Sequence, residues 1–248
     1  MPPRDRSTGP TLGILMLNTR FPRVLGDIGN AETFAHPVRY SVIDLATVDR
    51  IVTAEGPSGQ IMDAFVDAAH CLVDEGVEGL TTSCGFMAIA QRELAGRCRV
   101  PVFASSLCQV PLVQAALPIG KRVGVLTIDS GQLTAAHFAG VGAATDLPIE
   151  GVEDGRELAR VIQNDLEALD TRKAEVDVIE AGRRLLAKAP DIGAIVLECT
   201  NMAPYANALS AAVHLPVYDI IGLLDWWRRS LEPPAFGKRK ADEAVRHS

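Results

Sequence analysis

The sequence has no Cys-x-x-Cys pair and no cluster of cysteine with histidine, and its five cysteines make an odd number. That pattern argues against a disulfide framework or a structural zinc, and the thiols are read as reduced. Long apolar runs are also missing. The longest near the start, 12–17, is too short to cross a membrane or, with its flanks, to serve as a secretory signal, so the chain is expected to be cytoplasmic with no membrane partner. Positive charge is in deficit. A net charge of -7 gives no general attraction to nucleic acid, and the basic cluster Lys238-Arg239-Lys240 sits in a polar stretch after Pro233-Pro234. None of the histidines (His36, His70, His137, His214, His247) has a recognisable acid-base partner in the sequence.

What is present is a chain of 248 residues, 48% apolar, long enough for one large domain or two of ordinary size. Residues 1–10 and 233–248 read as unstructured tails. Between them, short apolar runs alternate with longer amphipathic stretches: strands at 12–17, 79–82 and 100–103, with helices at 60–74 and 86–95. In 60–74 the apolar positions Ile61, Phe65, Ala68, Ala69, Leu72 and Val73 follow the three-and-four spacing of a helix with one buried face. The second half replays this order with strands at 122–128, 194–197 and 215–218 and helices at 157–169, 174–188 and 202–212. Strands alternating with helices define an α/β fold with parallel sheets.

The repeat extends to single residues. Cys84 ends one apolar run and Cys199 another, and each is followed seventeen residues later by a proline in a strand-like stretch, Pro101 and Pro216. Aligning Gly13 with Gly124 superposes Asn18 on Asp129 and Thr19 on Ser130, with glycine-to-cysteine separations of 71 and 75 residues. This points to a pseudo-twofold duplication. Ligands of open α/β sheets bind beyond the carboxyl ends of the strands, where Asn18, Thr19, Asp129, Ser130 and both cysteines fall. Polar residues also end strands simply because loops begin there. Cys71, Cys98 and Cys108 have no counterpart in the repeat and are assigned structural roles.

Each matched cysteine precedes an expected helix, whose N-terminal amides and dipole would lower a thiol pKa from about 8.5. Two thiols facing one substrate carbon can exchange a proton from opposite sides, one as base and the other as acid. Carbanion formation next to a carboxylate also needs donors aimed at its oxygens. Thr82, Ser83, Thr200 and Asn201 offer side chains and Gly85 a backbone amide, while Thr200 reads equally well as a helix N-cap.

With the segments Asn18-Thr19-Arg20, Thr82-Ser83-Cys84-Gly85, Asp129-Ser130 and Glu198-Cys199-Thr200-Asn201-Met202, the chain resembles the aspartate/glutamate racemase superfamily. That superfamily also includes hydantoin racemases, maleate isomerases and arylmalonate decarboxylases. The resemblance covers nearly all of the ordered chain. It implies two Rossmann-like α/β/α lobes around a cleft, the first formed by 11–104 with 217–232 and the second by 105–216, the last helix returning to the first lobe. It also implies Cys84 and Cys199 as paired acid and base, neighbouring hydroxyls and amides holding a substrate carboxylate, and no cofactor or metal. Departures from the best-known amino-acid racemases are Gly85-Phe86 in place of Asn-Thr after the first cysteine and Asn201 in place of histidine after the second Cys-Thr.

Arg20 and Arg23, in the loop after the first strand, could grip a substrate carboxylate with a guanidinium fork, or lie solvated or paired with Asp27 or Glu32. Phe86, Met87, Met202 and Tyr205 fit either an apolar pocket wall or the core. The function expected is a cofactor-independent racemase or epimerase acting beside a carboxylate or amide carbonyl of a small substrate. Alternatives are a lyase by β-elimination, a cis-trans isomerase using the same thiols, and a small-molecule binding or sensing domain. A homodimer is compatible with all of these.

Overall fold

The first strand, β1 (Leu12–Leu17), is buried along its whole length. Such a run, apolar on both faces, belongs in the interior of a parallel sheet covered on both sides. In the computed structural model, which describes residues 10–233, β1 pairs in parallel with β2 (Val38–Ile43) and β3 (Gly79–Thr82), and β3 pairs with β4 (Val102–Phe103). The resulting order is β2-β1-β3-β4, and the second half repeats it as β6-β5-β7-β8. There the strands are β5 (Arg122–Thr127), β6 (Ile149–Gly151), β7 (Ile192–Leu197) and β8 (Val217–Tyr218). All pairings in both sheets are parallel. The chain is therefore an α/β protein of two equivalent four-stranded sheets. The tails expected at 1–10 and 233–248 lie outside the described residues apart from Pro10 and Pro233.

The helices are α1 (Val48–Ile51), α2 (Gly59–Asp74), α3 (Gln91–Arg97), α4 (Val110–Ala116), α5 (Ala135–Gly140), α6 (Leu158–Gln163), α7 (Thr171–Lys188), α8 (Ala206–Val213) and α9 (Ile220–Leu231). α2 turns Ile61, Met62, Phe65, Val66, Ala69 and Leu72 inward, and a methyl added at Gly13 of β1 would crowd Leu72. Gly124 of β5 leaves the same room for Leu185 of α7. The matched glycines thus let a long helix sit close on the central strand of each sheet. α9 buries Ile220, Leu223, Leu224 and Trp227 against Leu12, Ile14 and Met16 of β1. Trp227 meets Phe103 edge-on at 4.9 Å and lies over Gly79, where any side chain would strike the indole.

Three expectations change. Strands β2 and β6 are not among the expected strands; β2 alternates Val38, Tyr40 and Val42 with Arg39 and Ser41 but is only half-buried, with a single buried residue, Ile43, and β6 is three residues long. The helix expected at 157–169 stops at Gln163, because Asp165 adopts a left-handed backbone (φ 49°) that ends helical geometry. The helices expected directly after the two cysteines begin as 3-10 turns, Gly85–Ala90 and Thr200–Tyr205, before α3 and α8.

Trp227→Ala removes the indole that closes this face of the first sheet. It should destabilise the protein by about 3–5 kcal/mol, measured as a lower urea midpoint with an unchanged slope.

Candidate active site

Both cysteines sit two residues beyond a central strand end, Cys84 after β3 and Cys199 after β7, and both are buried. Backbone amides point at them in the same way: Phe86 N-H bonds the Cys84 sulfur and Asn201 N-H the Cys199 sulfur, each two residues along. The two turns meet at the carboxyl ends of the sheets and enclose a cavity of about 20 Å³, room for roughly one water molecule. Its polar lining is Arg23, Ser83, Cys84, Glu198, Cys199, Thr200 and Asn201. The apolar wall comes from Leu17, Phe21, Val48, Val52, Phe86, Ile128 and Ile162.

Cross-lobe hydrogen bonds hold the turns together. Thr200 Oγ1 donates to the Ser83 carbonyl at 2.7 Å; on the β7 side, Ser106, from the turn after β4, donates to the carbonyl of Leu197. Asn201 Nδ2 donates to Asp27 Oδ2 at 2.6 Å, while its Oδ1 lies 3.6 Å from the Cys199 sulfur. Asp27, itself buried, also receives Arg23 at 3.2 Å, and Thr19 Oγ1 accepts from the same guanidinium at 2.9 Å. Arg23 stacks over Phe21 at 4.3 Å. A chain of contacts therefore runs from Arg23 through Asp27 and Asn201 to Cys199.

Of the residues expected to form the site, Ser83, Cys84, Gly85, Cys199, Thr200 and Asn201 line this cavity, with the candidates Arg23 and Phe86, whereas Asn18, Thr19, Arg20, Thr82, Asp129 and Ser130 do not. Thr82 is turned into the core, its hydroxyl bonding the carbonyls of Ala104 and Cys84 at 2.8 and 2.9 Å. Asn18 is exposed, and Thr19 serves Arg23. Arg20 reaches outward to Asp165 at 3.1 Å and Glu167 at 3.5 Å. Asp129 bonds the Gly131 amide and Gln163, and Ser130 bonds Glu153, both at half-buried positions away from the cavity. Thr200 is not an N-cap: Cys199 occupies that position, and the hydroxyl is spent on Ser83. Met87, Met202 and Tyr205 are core, while Phe86 forms cavity wall and meets buried His137 edge-on at 5.1 Å. Among the described residues no group of three or more His, Cys, Asp and Glu is placed to hold a metal ion, and no helix is long and apolar enough to cross a membrane.

The expected low thiol pKa is corrected. Burial pushes the Cys84 thiol up to about 12, with the Glu198 carboxylate adding to the rise and the Phe86 amide and Arg23 opposing it. Burial likewise raises Cys199 well above the ordinary thiol value, and Glu198, Cys84 and Asp27 push the same way. A short 3-10 turn supplies one amide to each sulfur, too little to offset desolvation.

Glu198 is the residue that sequence reasoning missed. It is fully buried, and desolvation lifts its carboxyl to about 7 against hydrogen bonds from Thr127 and the Ile128 amide. Thr127 Oγ1 donates to Oε2 at 2.7 Å, and Oε1 has no partner. Gly85 packs against that carboxyl so closely that any side chain there would run into the Glu198 carbonyl and Oε1. The available signal was a charged residue inside an otherwise apolar strand end, directly before the thiol.

Residues 111–224 match the model of the Asp/Glu/Hydantoin racemase family. The chain belongs to this family of enzymes. Over 235 residues it is 30% identical to a dimethylsulfoniopropionate lyase of Durusdinium sp. clade D, covering 92% of this chain and 77% of that protein. It is 31% identical over 239 residues to dimethylsulfoniopropionate lyase 3 of Emiliania huxleyi (strain CCMP1516), again across 92% of this chain but only 62% of the relative. Solved structures with the same fold include unliganded arylmalonate decarboxylase, with a TM-score of 0.56 at 17% identity over 93% of this chain and 96% of that one. Allantoin racemase from Klebsiella pneumoniae aligns with a TM-score of 0.60 at 17% identity over 90% and 87%.

Since the folded protein holds the Glu198 proton more tightly than an unfolded chain does, its stability falls as pH rises from about 4.5 through about 7. Glu198→Gln removes that ionisation. The variant's stability relative to the parent should therefore improve between pH 5 and pH 8, by on the order of 3 kcal/mol, read from thermal melts at the two pH values.

Proposed function

We propose that the protein is a lyase that eliminates a β-substituent from a small carboxylate, with dimethylsulfoniopropionate as the substrate type. The observation that carries this reading is the set of groups lining the cavity, which must widen beyond its one-water volume to admit a substrate of this size. Among the described residues lining it, Arg23 is the one guanidinium, set against two thiols and largely apolar walls. One carboxylate can pair with Arg23. The dimethylsulfonium end is assigned to the apolar wall that includes Phe86, an aromatic ring of the kind that attracts cations. Similarity to dimethylsulfoniopropionate lyases over 92% of the chain supports the same choice.

The chemistry follows from the electrostatics. In the resting site the thiols are neutral, because burial disfavours thiolate. A sulfonium cation entering a water-excluded cavity reverses that preference, since opposite charges attract strongly at low dielectric. Cys84 is the better base: Arg23 favours its thiolate, whereas Asp27 and Cys84 oppose the thiolate of Cys199. The Cys84 thiolate takes the proton from the carbon next to the carboxylate. The electron pair forms the carbon-carbon double bond, and the bond to sulfur breaks with its electrons leaving on dimethyl sulfide. Acrylate remains, and Cys84 is left as the neutral thiol of the resting site; the one proton released per turnover is the one this thiol gives to solvent as the sulfonium enters. The amides opening the two 3-10 turns, at Gly85 and Thr200, supply donors for charge developing on the carboxylate.

A racemase or epimerase is the second reading. The matched amide-to-sulfur geometry of the two thiols favours it, as two-sided proton transfer requires equivalent groups.

Proton NMR in D2O separates the two. The lyase reading expects vinyl signals of acrylate from dimethylsulfoniopropionate, whereas α-deuteration of chiral acids with loss of optical purity would instead establish the racemase. Cys84→Ser should lower kcat about 10²–10⁴-fold. Arg23→Ala should act mainly by raising KM, because it removes the carboxylate anchor.

A further inference from the structure

The two thiol-bearing turns are equivalent down to their backbone hydrogen bonds. Ser83 donates its N-H to the Leu15 carbonyl at 3.0 Å, and Glu198 donates its N-H to the Leu126 carbonyl at 2.8 Å. The register that pairs Gly13 with Gly124 pairs these two carbonyls as well. The side chains continue the match. The Ser83 hydroxyl accepts from Leu17 N-H at 2.9 Å, and the Glu198 carboxylate accepts from the N-H of Ile128, the equivalent of Leu17. One half therefore places a neutral hydroxyl before its thiol where the other half buries a carboxyl. That carboxyl has no cation bonded to it: Thr127 holds Oε2, and Oε1 is bare, lying against Gly85 at the cavity. Burying an acid with one unsatisfied oxygen opposes folding, so its explanation lies in the site.

We propose that Glu198 is a positioning residue governing the thiol pair: ionised, it holds Cys84 and Cys199 as thiols, and protonated, it lets one of them become a thiolate. The other charged groups bearing on the thiols come from the loop after β1: Arg23, which favours the Cys84 thiolate, and Asp27, which opposes that of Cys199. Neither is on the element that carries Glu198. The neighbouring turn at Ser106–Gln109 contributes hydroxyl, thiol and amide side chains but no charge. The Glu198 carboxyl titrates near 7, so the control operates around neutrality. The proposal rests on the thiols being the working groups of the lyase reading, whatever the substrate.

Alkylation of the full-length chain with iodoacetamide tests it. Rates at Cys84 and Cys199 are read by peptide mass spectrometry between pH 5.5 and 9, with exposed Cys71 as reference. In the parent protein the rise of rate with pH should flatten near pH 7, where Glu198 ionises and opposes the thiolate. Glu198→Gln should abolish that break and react about tenfold faster at pH 8, the effect of one pKa unit from a nearby like charge. Thr127→Val removes the hydroxyl that favours the ionised carboxylate, so the break should move to higher pH. An unchanged break, or a slower rate, in a Glu198→Gln protein with parental circular dichroism would overturn the proposal. If Glu198→Gln does not fold, an unmoved break in Thr127→Val overturns it. Alkylation needs no substrate, so failure to release acrylate would sink the lyase reading alone.

Discussion

Desolvation of two thiols is the constraint on which the rest of this structure depends. A cysteine at a strand end in open solvent would ionise near its ordinary value. Here both sulfurs are shut in a cavity that holds about one water, and burial is the largest influence on each. The gain is a site where a single added charge shifts the protonation of its neighbours, because interactions that water would screen act more strongly there. Arg23, Asp27, Glu198 and an incoming cation are therefore read together as one electrostatic system.

The same burial ties stability to the site. The strand ends that carry the thiols are held partly by hydrogen bonds from outside their own sheets. Donors from outside the sheets complete them: Thr200 bonds Ser83 and Ser106 bonds Leu197, while Asn201 to Asp27 joins the side chains. At the mouth, Asp165 accepts from the backbone of Arg20 and Phe21 at 2.6 and 3.2 Å. Asp165 meets the cost of its left-handed backbone by fixing the loop that carries the Arg23 anchor. Breaking the lobes apart would expose the thiols and restore their ordinary acidity together.

The central strands were legible because burial on both faces writes continuous apolar runs, and β1 occupies the expected 12–17. Strands β2 and β6 were not: the alternation of β2 is short and mostly half-exposed, and β6 is only three residues long with a glycine at its end. The duplication was readable from Gly13 and Gly124, whose bare α-carbons make room for Leu72 and Leu185. The thiols and their flanking residues were readable through that repeat. Side-chain direction was not: Thr82 and Ser83 are adjacent polar residues, yet one faces the core and the other the cavity. Thiol acidity was misread because spacing shows an amide donor but not the depth of burial. Arg23 appeared only as one of two candidate arginines, separated from Arg20 by the ion pairs each makes.

The inequality of the two halves bears on the kind of reaction the site can favour. An enzyme that interconverts mirror images needs both thiols poised alike, since each must act as base in one direction. In this chain the backbone is duplicated but the charges are not. Cys84 has Arg23 favouring its thiolate, whereas Asp27 and the first thiol weigh against Cys199, and Glu198 weighs on both. A one-way elimination asks for a single good base and a leaving group that departs unaided. Dimethyl sulfide is such a leaving group, neutral once the bond to carbon breaks. In the proposed lyase reading, its positive charge before departure is what a buried thiol needs beside it in order to ionise, so one group on the substrate would both activate the base and complete the reaction.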